Sequence, residues 1–146
     1  LKELTLIKPE KKTYTLQSLD KIAEQIKRRS LIIVFSDFLD DPNKVISTLK
    51  HFRHNNHEII VFHILDPLEV SFAFGKDAVF IDMESNEELT TQPFHIQKAY
   101  QNEMQKFINF YKKECLMNQI DYVLLETNTP FDIALFNYLR KRSKLN

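Results

Sequence analysis

Three short and nearly continuous apolar runs, Leu31 to Phe35, Ile59 to Leu65 and Tyr122 to Leu125, constrain the fold of this chain more than any other feature. None alternates in the way a strand with one wet face would, so all three read as parallel strands buried on both faces. Apolar residues at helical spacing fill the intervals between them. The resulting order is helix, strand, helix, strand, hairpin, long helix, strand, helix, which defines an α/β fold with a parallel sheet between layers of helices.

The first helix is expected from about Leu16 to Arg28, with Leu16, Leu19, Ile22, Ala23 and Ile26 along one stripe. The second opens at Asp41-Pro42, an acidic cap followed by proline, and runs to about His54 with Val45, Ile46, Leu49 and Phe52 inward. A long helix over roughly Pro93 to Met117 places Ile96, Tyr100, Met104, Phe107, Ile108, Tyr111 and Cys115 on one face. The last begins near Pro130 and is expected to turn Ile133, Ala134, Phe136 and Leu139 toward the core. Between the second and third apolar runs, Val79, Ile81 and Met83 alternate with Phe80 and Asp82. Ser85-Asn86 then supplies a turn ahead of Glu88 to Thr91, the pattern of a surface β-hairpin.

Three parallel strands are few for an open sheet, which usually has about 5 to 6. The strand at Leu31 to Phe35 would lack a neighbour on one side, so further strands are expected beside it, from residues ahead of Leu1 or from a second copy of the chain. The chain opens on Leu1 rather than Met, in keeping with a piece of something longer.

A length of 146 residues suits one domain, and 43% hydrophobic residues suffice for a core. Twenty basic residues balance 20 acidic ones, so the general positive field on which nucleic-acid binding rests is missing and nucleic acid is not expected as a partner. No apolar run approaches the roughly 20 residues of a membrane span, and the N-terminus lacks the apolar core of a signal peptide. Cys115 is the sole cysteine, which excludes an internal disulfide and suits a cytoplasmic location. Gly75 is the sole glycine, which argues against glycine-rich phosphate loops and hence against dinucleotide or P-loop chemistry.

In open parallel sheets, ligands bind beyond the carboxyl ends of the strands. Those ends carry Ser36-Asp37-Phe38-Leu39-Asp40-Asp41, Asp66-Pro67 and Glu126-Thr127-Asn128-Thr129, a rim of hydroxyls and carboxylates. Oxygen donors of this kind suit a hard cation such as Mg²⁺, with Asp37 as the leading ligand candidate. Asp40 or Asp41 equally serves as a helix cap and Asp66 as the start of a turn before proline. Lys27, Arg28, Arg29, Arg53, Arg140, Lys141, Arg142 and Lys144 fall at the opposite ends of the elements, where helix dipoles favour cations. His51, His54 and His57 repeat every third residue, yet the helix frays at Asn55-Asn56, so they read as a solvated helix end rather than a metal cluster. His63, inside an apolar strand, reads as a hydrogen-bonded core histidine, and Cys115 as an inert core thiol.

The segments Arg28-Arg29-Ser30-Leu31-Ile32-Ile33-Val34-Phe35-Ser36-Asp37, Lys50-His51-Phe52-Arg53-His54 and His57-Glu58-Ile59-Ile60-Val61-Phe62-His63-Ile64-Leu65-Asp66-Pro67 together resemble the bacterial DUF58 family. Glu88-Leu89-Thr90-Thr91 and Asp121-Tyr122-Val123-Leu124-Leu125 extend the likeness over nearly the whole chain. The resemblance implies a three-layer, Rossmann-like von Willebrand factor A-like domain, of which residues 1–146 would be the C-terminal portion holding the last three of six strands. It also implies a metal-ion-dependent adhesion site built from a DxSxS motif, a threonine and an aspartate. Thr13 matches the threonine, with Thr15 as a substitute, and Asp37 matches the aspartate; the DxSxS motif does not occur in these residues. A site for Mg²⁺ would then be incomplete in this chain.

By that resemblance the expected role is a non-enzymatic protein-binding module, acting with a MoxR-type AAA+ ATPase in chaperone-like complex assembly. The alternatives are a Mg²⁺-dependent phosphoryl-transfer enzyme with Asp37 as nucleophile, or a plain oligomerisation scaffold that pairs through its first strand. The enzyme reading lacks a second carboxylate two residues after Asp37 and a lysine after the third strand.

Overall fold

The structure is a computed structural model that describes Leu19, Ile22, residues 25–26, 28–73, 78–81, 88–91 and 93–143. Its strands are β1 (Leu31–Ser36), β2 (Glu58–Leu65), β3 (Ala78–Ile81), β4 (Glu88–Thr91) and β5 (Asp121–Glu126). Its helices are α1 (Pro42–His54), α2 (Pro67–Ser71), α3 (Pro93–Met117) and α4 (Phe131–Ser143). Of the helix expected over 16–28, Leu19, Ile22 and Gln25 are helical, and the Ile26 amide donates to the Ile22 carbonyl at 3.1 Å. The remainder of that helix lies outside the described residues.

β1, β2 and β5 form a parallel sheet with β2 in the middle, and β3 pairs antiparallel with β4 as the alternation predicts, while Met83 and the Ser85-Asn86 turn lie outside the described residues. Side chains alternate across β2 and sort into two clusters. Ile59 and Val61 pack with Val45, Ile46, Leu49 and Phe52 of α1 and Tyr111 and Cys115 of α3, joined by Ile32 and Val34 of β1 and by Leu19. Ile60 and Phe62 point the other way and meet Tyr138 of α4, with Val123 beside them. The sheet is therefore sandwiched: α1 and α3 lie on one face and α4 on the other.

Of the three parallel strands, only β2 is covered on both faces. On β1, Ile32 and Val34 are buried, while Leu31, Ile33 and Phe35 are exposed, Phe35 to 61%. β5 is likewise half-covered, with Leu124 exposed. The expectation of three strands buried on both sides is thus corrected to one: α4 reaches across β2 and β5 but leaves the same face of β1 bare, and β1 has no strand on its outer side among the described residues.

The inward face of α4 also differs from expectation. Among the described side chains of α4, Tyr138, 7% exposed, is the one that docks, whereas Ile133, Phe136 and Leu139 stand in solvent and Phe131 is 80% exposed; the Ala134 side chain lies outside the described ones. The apolar residues of α4 are spread around its circumference, so spacing alone does not select one face. On α3, Ile108, Tyr111 and Cys115 are buried as expected, but Ile96 is exposed near the helix start.

Local caps follow from the sequence. Asp41 accepts from the Asn43 amide at 3.0 Å and caps α1, which has proline in its first turn. Asp66 and Glu69 form a reciprocal capping box on α2, a helix of five residues where only a turn was anticipated. Gln97 and Gln101 of α3 donate to the carbonyl of Ser71, which ties α2 to α3. Among the described residues, four non-glycine ones take positive φ: Phe38 (55°), Asn56 (62°), Phe72 (49°) and Gln119 (56°). Each lies at a turn where glycine is the ordinary solution, in a chain whose one glycine is Gly75.

Candidate functional site

The carboxyl ends of the three parallel strands come out on one rim, as the connections between parallel strands require. They are staggered. Ser36, at the end of β1, is level with His63, and β2 continues for two more residues, with Leu65 level with Glu126 of β5. Asp66 and Thr127, three residues beyond that level, therefore stand about 10 Å farther along the strand direction than Ser36, at ~3.3 Å per residue. The loop after β1 sits on the lower step of this edge.

Two of the carboxylates expected on the rim serve local structure. Asp41 and Asp66 are committed to helix caps, and Asp66 also accepts from the Thr127 hydroxyl at 2.9 Å, which ties the loops after β2 and β5 together. Asp37 is exposed, with one carboxylate oxygen 3.4 Å from the Leu39 amide. Thr13 and Thr15, the threonines matched to the second adhesion-site position, lie outside the described residues. No group of three or more His, Cys, Asp or Glu placed to hold a metal occurs among the described residues. Asp37 is the exposed carboxylate directly beyond β1, and the described residues do not build a complete site for a hard cation around it.

The Asp37 loop is held from beneath by a buried polar network. The Asp37 carbonyl accepts from His63 Nε2 at 3.0 Å, and the other ring nitrogen, Nδ1, is 2.8 Å from the Tyr122 hydroxyl. A carbonyl oxygen can only accept, so Nε2 carries the proton and Nδ1 of the neutral ring accepts from Tyr122. The Phe38 carbonyl accepts from the Tyr111 hydroxyl at 3.3 Å, and the Phe38 amide donates to the Ser36 hydroxyl at 3.0 Å. Around the imidazole stand Phe38, Phe107, Tyr111 and Tyr122, with ring centroids 5.4 to 5.8 Å away and edge-on geometries. Burial among these rings pushes the imidazole below its ordinary value near 6.5, against the weaker pull of the Asp37 carbonyl and carboxylate. Desolvation likewise raises the Tyr111 and Tyr122 hydroxyls, so all three groups stay neutral. The core role read for His63 from its strand position is borne out. Its partners were not legible, because they come from a loop 26 residues away and a strand 59 residues away.

The opposite end of the sheet is basic and largely self-neutralised. Glu58 accepts from Arg29 at 3.0 Å and from Arg142, and these two guanidiniums hold its carboxyl below the usual range. Arg142 also donates to the Tyr138 hydroxyl, which in turn donates to Asp121. Arg53 spans from the His57 carbonyl at 3.2 Å to the Gln119 side chain at 2.8 Å. Of the three spaced histidines, His51 and His54 are solvated as expected. His57 is not: it is buried and its Nδ1 accepts from the Ser30 amide at 3.2 Å, because it follows the Asn56 turn and faces Phe52 instead of water.

This is a mixed α/β protein with a Rossmann-like arrangement, its sheet parallel and its exposed loops gathered at the strands' carboxyl ends. The chain belongs to the DUF58 family, described as a protein of unknown function, whose family model matches residues 1–107. No curated protein and no solved structure matches it. None of the helices among the described residues is long and apolar enough to cross a membrane.

Proposed function

We propose that this chain is the C-terminal portion of a von Willebrand factor A-like domain that acts as a non-enzymatic protein-binding module, with the Asp37 edge as its contact surface. The observation that carries the reading is the exposed Asp37 carboxylate, set just beyond the end of a parallel strand on a loop pinned from beneath. That is where open parallel sheets present ligand-facing groups. The exposed face of β1 and the absence of a strand on its outer side among the described residues support the same reading, since they suit a strand with further neighbours in a six-stranded doubly wound sheet.

In this reading Asp37 makes the polar contact to the partner, directly or through a Mg²⁺ ion whose other ligands come from outside the described residues. A MoxR-type AAA+ ATPase is the proposed partner, on the strength of the family resemblance. The test is capture of such an ATPase by the whole protein that contains this chain, comparing wild type with Asp37→Ala, each with Mg²⁺ and with chelator. Asp37-dependent capture is expected. Equal capture in all four conditions sinks the role of this edge, and Asp37-dependent capture that ignores chelator removes the ion while keeping the surface.

A further inference from the structure

We propose that His63 is a positioning residue: its ring, fixed by Tyr122, holds the Asp37 carbonyl inward and so sets the loop that presents the Asp37 carboxylate. The inference deepens the reading of that edge as a binding surface, though the positioning itself stands on contacts independent of any partner.

Inward positions along β2 are otherwise apolar, with Ile59, Val61 and Leu65 on the same face as His63. An imidazole there loses its hydration and needs a partner at each nitrogen. Both partners are present, and one is the backbone of the loop itself. His63 is fully buried and wholly committed to the Asp37 carbonyl and Tyr122.

Three consecutive residues of the turn are held in the same manner. Ser36 receives the Phe38 amide, Asp37 gives its carbonyl to His63, and Phe38 gives its carbonyl to Tyr111. Phe38 takes a left-handed conformation, with φ of 55°, and its ring is 1% exposed against His63 and Tyr111. With the Phe38 ring buried and the Asp37 carbonyl drawn down, the Asp37 side chain is left in solvent. Side chains from β2, β5 and α3 thus determine one loop conformation. Tyr122 has a defined part: by donating to Nδ1 it favours the tautomer whose Nε2 proton the Asp37 carbonyl needs.

The test uses His63→Leu, His63→Gln and Tyr122→Phe in the whole protein. Leucine removes both hydrogen bonds, whereas the glutamine amide nitrogen can reach the place of Nε2 and donate to Asp37. His63→Leu is expected to speed amide exchange at Phe38 and Leu39 by about tenfold relative to Ile60 and Val61, the effect of one lost buried hydrogen bond, and His63→Gln to restore most of it. Where the whole protein shows Asp37-dependent capture, His63→Leu is expected to weaken it and His63→Gln to recover it. Unchanged loop exchange in a folded His63→Leu protein overturns the proposal. Should that variant fail to fold, nitrogen-15 spectra of the wild-type imidazole decide: protonation at Nε2 supports the proposal, and protonation at Nδ1 overturns it. If wild type captures nothing through Asp37, the proposed function falls while the loop measurements still judge His63.

Discussion

Replacing Tyr138 by alanine should release α4 from the sheet while leaving the α1 and α3 side intact. Tyr138 is 7% exposed and is the one buried hydrophobic residue described on α4; it sits against Ile60 and Phe62, with the Phe62 ring 5.9 Å away. A buried aromatic side chain withdraws about 150 Å² or more from water, worth roughly 4 kcal/mol at ~25 cal/mol per Å², an upper figure because unfolded chains already bury some surface. Its hydroxyl adds a 2.9 Å bond to Asp121 and a 3.2 Å bond from Arg142, for about 1 to 2 kcal/mol more. The loss seen globally is capped by whatever free energy holds α4 down, since a detached helix costs nothing further. Tyr138→Ala should therefore expose α4 amides to exchange at rates close to those of an unfolded segment, with the amides of Val61 and Tyr111 keeping their order of protection. Tyr138→Phe should cost about 1 kcal/mol with α4 still docked. Urea unfolding with residue-resolved hydrogen exchange reads both effects. If Tyr138→Ala leaves α4 exchange at the wild-type rate, the claim that this side chain is the main anchor of the helix is wrong.

Other expectations follow from the ion pairs, the thiol and the bare strand. The Glu58 carboxyl lies below its ordinary value of 4.5 because of Arg142 and Arg29, so its contribution is complete above that value and fades as pH falls through the lowered one. Glu58→Gln should flatten the acid limb of the stability curve, and a parallel limb in the two proteins would contradict this. Burial pushes the Cys115 thiol up to about 12, so a thiol reagent near pH ~8 should label it only after denaturation; rapid labelling of the native protein would place Cys115 on an opening surface. The exposed Ile33 and Phe35 on β1 should drive self-association of the isolated chain, and Phe35→Lys should reduce it in sedimentation velocity. Identical profiles with and without the substitution would exclude that face.

How far the residues foretold the structure depended on whether a pattern was local. Asp41-Pro42 and the Val45, Ile46, Leu49, Phe52 stripe mark α1 within a single helix, and the parallel strands were readable from continuous apolar runs. The Asp66-x-x-Glu69 spacing did contain the signal for α2, a capping box that a reading of Asp66-Pro67 as a plain turn overlooked. The face of α4 was not readable, because Ile133, Phe136 and Leu139 compete with Tyr138 and only the hydroxyl's partner Asp121 and the position of Phe62 favour the last. Continuity of the apolar run at Leu31 to Phe35 overstated the burial of β1, since an apolar residue is permitted on a face without being covered there. For Asp37, a strand-end position was foreseeable, whereas the fastening of its carbonyl by His63 belongs to tertiary structure.

Turns made with phenylalanine, asparagine and glutamine in place of glycine have a mechanical consequence. A left-handed non-glycine residue carries about 1 kcal/mol or more of steric penalty, so it persists only where the surroundings hold it. At Phe38 the restraint is the sunken ring, and a glycine there would relieve the backbone yet unfasten the turn. If the proposed contact at this rim holds, an incoming molecule would meet it already shaped, with little freedom left to surrender, and variation that softens it would be felt first as faster dissociation.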